Sequence, residues 1–340
     1  MAVQTDTSDS AVSTAPTLAG ITLGTWRRFG IIGFLVVAVV LPYFIGDFYT
    51  FQMTQAAIYA IAILGLNLLT GFNGQFSLGH SAFYAIGAYT AAIMMNQWEV
   101  AYYWTLIPAG VVCLVAGFLF GLPALRLEGL YLALATFALA VATPQILKYE
   151  KLEHWTGGVQ GIDLDKPEAP AWLPLTDDQW LYYFTLAVML LLFVGAWNLV
   201  RGRAGRAMIA IRDNPIAART MGINTSLIKA VTFGVSALYT GVAGALSAIV
   251  IQFVAPDSFT FILAVSLLVG LVVGGVASIP GAVFGGLFIL FIPNFANEIS
   301  DGLAWAVYGA FLILTVYVMP TGAAGLLRMV VGRLVVRKEL

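Results

Sequence analysis

Between residues 67 and 80 the chain sets five hydrogen-bonding side chains, Asn67, Asn73, Gln75, Ser77 and His80, among Gly71, Gly74 and Gly79. None carries a fixed charge. Amide, hydroxyl and imidazole groups donate and accept neutral hydrogen bonds. Glycines let backbone approach a neighbour or a solute closely. The chemistry on offer is recognition of a small polar molecule along a path, not bond breaking. A tight turn at the inner face of a membrane, with His80 at the interface and Asn67 bonding across helices, is the alternative use of the same residues. No Ser/His/Asp set, paired carboxylates or metal-ligand spacing is present, and the lone Cys113 makes neither an intrachain disulfide nor a zinc site. The chain is not expected to be an enzyme and needs no cofactor.

A second polar stretch runs from Arg201 to Lys229. It carries Arg201, Arg203, Arg206, Arg212, Arg219 and Lys229 against one acid, Asp213. Asn214 suits a helix cap, Pro215 the first helical position and Gly222 the stop. The predicted helix, Pro215–Met221, is two turns, roughly 10 Å long. It is marginal alone in water, yet it presents Ile216, Ala217, Ala218 and Met221, which a solvated loop does not need. This pattern fits a plug for a groove on another protein. A loop that only fixes membrane topology is the alternative.

The elements that position these stretches are apolar. Of 340 residues 60% are hydrophobic and 10% charged, where a soluble domain has about a quarter charged. The fold class is an all-α polytopic membrane protein. Ten spans are predicted, at 29–46, 51–70, 80–96, 104–125, 129–148, 179–199, 230–252, 260–278, 281–297 and 302–319. Residues 1–25 read as a disordered terminus, 26–325 as the transmembrane domain, 149–178 as its external loop, 200–229 as its cytoplasmic loop, and 326–340 as a basic tail. No cleavable signal peptide precedes the first span.

With both termini inside, Arg27, Arg28, Arg126, the basic stretch and the tail all lie on the cytoplasmic side. Only Lys148, Lys151 and Lys166 lie outside, as the positive-inside rule requires. An odd number of spans would place a basic terminus outside. No Asp, Glu, Lys or Arg sits near the middle of a span, which argues against transport coupled to ions within this chain. No lysine is followed by Ser or Thr, so the chain lacks the GxxxxGK[ST] phosphate cradle. Any ATP is handled by a partner. The net charge of −1 gives no sign of a nucleic-acid partner.

Two further glycine-rich stretches stand out. Gly274–Ala282, with Gly285 and Gly286, is a small-residue break suited to close helix packing or, alternatively, a hinge, and Gly241, Gly244 and Ala248 form a packing stripe. Thr156–Ile162 lies in the outer loop, where it is either a docking surface or a plain turn. Trp155, Trp172, Trp180, Tyr182 and Tyr183 fit an interfacial aromatic belt.

At these motifs the sequence resembles the membrane subunits of ABC importers for branched-chain amino acids, of the LivM type. GQFSLGHSAFYAIGAYTAAI at 74–93 is similar to that family's signature, TGGVQGI at 156–162 to its outer-loop motif, GRAMIAIRDNPIAARTMGIN at 205–224 to its coupling segment, and GGVASIPGAVFGG at 274–286 to its late break. Ile216 stands where the general EAA pattern has Glu, the downstream Ile-x-Leu-Pro is missing, and Ile279-Pro280 departs from the usual break. The resemblance implies a bacterial or archaeal plasma (inner) membrane and a five-part machine. Its parts are this chain, a homologous second permease subunit, two ATP-binding subunits and an external substrate-binding protein. It implies ATPase coupling through Pro215, Ile216, Ala217, Ala218, Met221 and Gly222. The cargo is a branched-chain or related neutral amino acid; urea or a short amide, or a stand-alone channel, are the alternatives.

Overall fold

The computed structural model describes residues 17–18, 21–22, 33, 36–125, 127, 129–170, 173–299, 304–319 and 322–326. Most of the predicted disordered terminus, part of the first span, Arg126, Trp172 and the tail beyond 326 lie outside the described residues. The chain divides into two units, one of residues 45–326 and one of residues 1–44 with 327–340. In the second, β1 (Thr17–Leu18) pairs antiparallel with β2 (Ile21–Thr22), and a single turn of 3-10 helix covers Leu41–Tyr43.

The larger unit is a helical bundle. Its helices are α1 (Asp47–Leu66), α2 (His80–Trp98), α3 (Tyr102–Ala124), α4 (Leu130–Leu147), α5 (Asp177–Arg201), α6 (Arg203–Asp213), α7 (Pro215–Thr220), α8 (Thr225–Ile251), α9 (Phe261–Gly274), α10 (Gly281–Ile299) and α11 (Ala304–Val318). A helix therefore stands at each predicted span from the second to the tenth. Among the described residues, α1 with its extension, α3, α4, α5 and α8 are long and apolar enough to cross a bilayer, while α9 and α10 are apolar but shorter. This is an all-α, multi-pass membrane protein.

Burial separates the centre from the rim. In α1 and α8 83% of the apolar window is buried, against 33% in α3 and α4 and 28% in α5. These two helices spend their apolar side chains within the bundle, and the other three leave most of theirs on its outer surface. α8 packs along α3, α2 and α1, and α10 packs on α1 and α9. Small residues make the central contacts close. A Cβ on Gly87 of α2 would lie on the Gly241 carbonyl of α8, and one on Gly244 would lie on the Tyr84 carbonyl. Without a hydrophobic force between helices in lipid, such contact supplies dispersion energy that larger side chains would forbid. The predicted stripe in α8 is thus a packing surface.

Several boundaries differ from the sequence reading, for local reasons. Helix α8 begins at Thr225, not 230, because Asn224 Oδ1 accepts from Leu227 N at 3.0 Å and carries the helix past the apolar run. Helix α5 begins at Asp177, where Thr176 and Gln179 form a reciprocal capping box. Helix α9 stops at Gly274, not 278, since Gly275 takes φ 114° and Ala277 φ 58°.

Candidate functional site

Helices α5 and α8 define the two ends of the bundle. At 25 and 27 residues they are ~37 and ~40 Å long, more than the ~30 Å hydrocarbon layer. The loop 149–176 feeds the start of α5, and its strand β3 (Ile162–Asp163) pairs with β4 (Phe253–Val254), just past the end of α8. The basic stretch joins the other ends. The acidic loop and the basic island therefore occupy opposite ends of the same two helices.

The island is two helices, not one helix in a loop. Helix α6 buries Gly205, Met208 and Ile211. The spacing of Ala204, Met208 and Ile211 is the helical signal that a reading centred on Pro215 passes over. Helix α7 follows after one extended residue. Asn214 Oδ1 accepts from Ile216 N and Ala217 N, both at 3.0 Å. Gly222, at φ 83°, closes the turn, and Ile223 N donates to Ala218 O at 3.1 Å. Arg219 Nε donates to Thr225 Oγ1 at 2.9 Å, tying α7 to the start of α8. Of the predicted apolar face, Ala218 is buried against the protein, while Ile216 is 75% exposed and Met221 84% exposed. Pro215, Ala217 and Gly222 are exposed beside them. Arg219 lies within α7 and Arg212 just before it, and both are exposed.

The glycine-rich stretch lies at the island end. Helix α1 continues into a π-helical turn, Asn67–Phe72. The turn ends in a Schellman-like closure: Gly74 takes φ 73° and Gln75 N reaches back to Leu69 O at 3.1 Å. Gln75 Nε2 donates to Lys229 O at 3.2 Å, and Arg212 Nη1 donates to Gly71 O at 3.1 Å. Leu78 N donates to Thr136 Oγ1 of α4 at 2.9 Å.

His80 is buried at the start of α2 and joins three elements. Its Nδ1 lies 3.2 Å from Ser77 Oγ and its Nε2 lies 2.7 Å from Ser236 Oγ of α8. Ser236 Oγ in turn donates to Gly65 O of α1 at 2.6 Å. A hydroxyl has one hydrogen. With that hydrogen on Gly65 O, Ser236 accepts from His80, which fixes the proton on Nε2. Nδ1 then accepts from Ser77, whose oxygen accepts from Gly79 N at 3.3 Å. Every group in the chain is matched with His80 neutral, in keeping with the interior of a membrane.

Asn67 is buried one turn above. Its Nδ2 donates to Ser278 O and its Oδ1 accepts from Ala277 N, both at 2.8 Å. One side chain thus supplies the backbone partners that the break at 275–280 lacks, as irregular backbone at membrane depth requires. Asn73 is also buried, and neither atom of its amide has a protein partner. The five predicted path residues are therefore all buried in this conformation, clustered around the π turn and the start of α2.

At the far end, Thr156 Oγ1 donates to Leu147 O at 2.8 Å and accepts from Gly158 N at 3.2 Å. Gly157, Gly158 and Gly161 all take positive φ. Lys148 Nζ meets Asp257 at 2.6 Å. The motif 156–162 builds a turn that clasps the segment after α8, and Val159 projects from it, 65% exposed. Trp180 Nε1 donates to the Tyr102 hydroxyl at 2.8 Å, joining α5 to α3 at this end.

Comparison with known proteins agrees with this architecture. The chain is 31% identical to the high-affinity branched-chain amino acid transport system permease protein LivM of Salmonella typhimurium, over 87% of this chain and 74% of that one. LivM of Escherichia coli K12 aligns with the same identity and coverage. LivH of Salmonella typhimurium is 25% identical over 80% of this chain and 93% of its own, and the autoinducer 2 import system permease protein LsrC of Escherichia coli is 28% identical over 79% and 82%. No solved structure matches the chain. Residues 48–317, the bundle with its island and its outer loop, match the family described as branched-chain amino acid transport system / permease component, and the chain belongs to that family of ABC transporter permeases.

Proposed function

We propose that this chain is one of two related permease subunits of an importer that moves branched-chain amino acids across a bacterial inner membrane, driven by two ATP-binding subunits and fed by an external binding protein. The chain crosses the membrane ten times, with both termini in the cytoplasm, residues 26–325 forming the permease domain and 326–340 a basic tail. The island faces the cytoplasm and the loop 149–178 faces the binding protein.

The single observation that carries this reading is the exposure of Ile216 and Met221 on a doubly capped helix within a basic stretch. Water does not favour a large apolar side chain at such exposure on so short a helix, whereas a groove on a partner does. Pro215, Ile216, Ala217, Met221 and Gly222 form the face that enters an ATP-binding subunit, and Ala218 holds the helix to the bundle. Asn67, Asn73, Gln75, Ser77 and His80 border the substrate path, which opens when the helices around the π turn separate. They offer a zwitterion neutral hydrogen bonds without a competing charge.

The test uses Ile216→Asp and Met221→Asp. Both positions are exposed, so the bundle remains in the membrane at its normal level. Uptake of labelled leucine falls to background if α7 seats in an ATP-binding subunit. Normal uptake with the protein present contradicts the reading and leaves the island as a topology signal. Ligand profiling of the binding protein then identifies the cargo.

A further inference from the structure

An unbroken line of contacts joins the island to the break at 275–280, and it passes through the π turn. Arg212 and Lys229 flank α7 on its two sides in the chain. Arg212 holds Gly71 O and the Lys229 carbonyl holds the Gln75 side chain. The stretch 71–75 is therefore gripped from both flanks of the knob. Gly74 completes the grip: a Cβ there would press on Arg212 Cγ at 2.8 Å. At the other end of the π turn Asn67 grips Ala277 and Ser278.

The π turn is the irregular element in this line. Such turns are rare and strained relative to α-helix, and they concentrate at functional positions. In a continuous α-helix Gly71 O would accept from Gln75 N. Here Gln75 N goes to Leu69 O, and Gly71 O goes to the guanidinium. The Arg212 side chain and the helix's own amide thus compete for one carbonyl. Asn73, inside the gripped stretch, has a buried amide with no protein partner, a group that a rearrangement stands to satisfy.

We infer that Arg212 is the positioning residue that carries movement of α7 into the π turn Asn67–Phe72, and that rearrangement of this turn shifts the 275–280 break through Asn67. This rests on the reading of α7 as the ATPase-coupling helix. Pulling the island away from the bundle releases Gly71 O, lets the turn relax toward α-helical pairing, and rotates Asn67 relative to its two backbone partners. Pushing it back restores the present arrangement.

The experiment reconstitutes the complete importer in proteoliposomes and measures uptake and ATP hydrolysis in parallel. For Arg212→Gln, uptake per ATP hydrolysed falls roughly tenfold, within the range of ordinary coupling energies. Arg212→Lys, which keeps the charge but not the fork that reaches Gly71 O and Asp213 together, gives a ratio above that of Arg212→Gln and below wild type. A wild-type ratio in Arg212→Gln, with Ile216→Asp and Met221→Asp inactive, overturns the relay and leaves the coupling helix standing. Normal uptake in those two aspartate variants overturns the coupling reading itself. A second measurement needs no variant: hydrogen exchange of the 67–75 amides in the wild-type importer, with and without a non-hydrolysable ATP analogue. The relay requires exchange there to change with nucleotide. Equal exchange in both states overturns it.

Discussion

His80 Nε2 lies 2.7 Å from Ser236 Oγ, and this contact ties α2 to α8 and, through the serine, to α1. The direction of each hydrogen bond is fixed by the single hydroxyl hydrogen, so the imidazole is a structural keystone at the island end. Ser236→Ala leaves the His80 N–H without its partner and removes the side-chain donor to the Gly65 carbonyl. A buried unsatisfied group costs about 1–3 kcal/mol. The purified variant is expected to unfold at lower temperature in detergent. Ser77→Ala removes two longer hydrogen bonds, at 3.2 and 3.3 Å, and shifts the midpoint less.

Gly87 and Gly241 make the α2–α8 interface too close for a methyl group on Gly87. Gly87→Ala is expected to lower the amount of folded protein in the membrane, because the obstacle is backbone and has little room to yield. Overpacking of this kind costs about 1–3 kcal/mol. Gly309→Ala, which has no atom within 4 Å of the added carbon, serves as the control and leaves the yield unchanged. Membrane yield by immunoblot and detergent melting together check the pair.

Asn214 accepts two amide hydrogen bonds at the start of α7. Asn214→Ala is predicted to destabilise that helix by about 1 kcal/mol, a large effect on an element of six residues. Uptake falls several-fold while protein level holds. Asn214→Ser and Asn214→Asp keep a capping oxygen and retain most of the uptake. An alanine variant with wild-type transport contradicts the view that α7 must be ordered before it meets its partner.

The native cysteine is buried, so single introduced cysteines report sidedness cleanly. Val159→Cys is expected to react with an impermeant maleimide in spheroplasts. Met221→Cys is expected to react only in inverted vesicles or after permeabilisation. Labelling of both from the same side contradicts the opposite placement of the outer loop and the island.

Much of this was legible in the residues, and the remainder was not for identifiable reasons. Asn214, Pro215 and Gly222 announced α7 because capping is local chemistry, read over a few positions. The apolar runs announced the helices because hydrocarbon demands length and composition. The partners of Asn67 were not legible: Ala277 and Ser278 lie more than two hundred residues away, and nothing at 67 names them. Nor was the burial of Ala218 beside exposed Ala217, since a two-turn helix has no periodicity long enough to say which face turns inward. The contact from Arg212 to Gly71 depends on α6, whose amphipathic spacing was hidden by its charge.

The proposed importer takes its energy from ATP-binding partners and not from this chain. The most direct test is leucine flux into liposomes holding either this purified chain alone or the assembly with its second permease, both ATP-binding subunits and the loaded binding protein. The account predicts no flux through the chain alone and ATP-dependent accumulation in the full assembly. Saturable leucine flux through the chain by itself would contradict it and make the protein a facilitator.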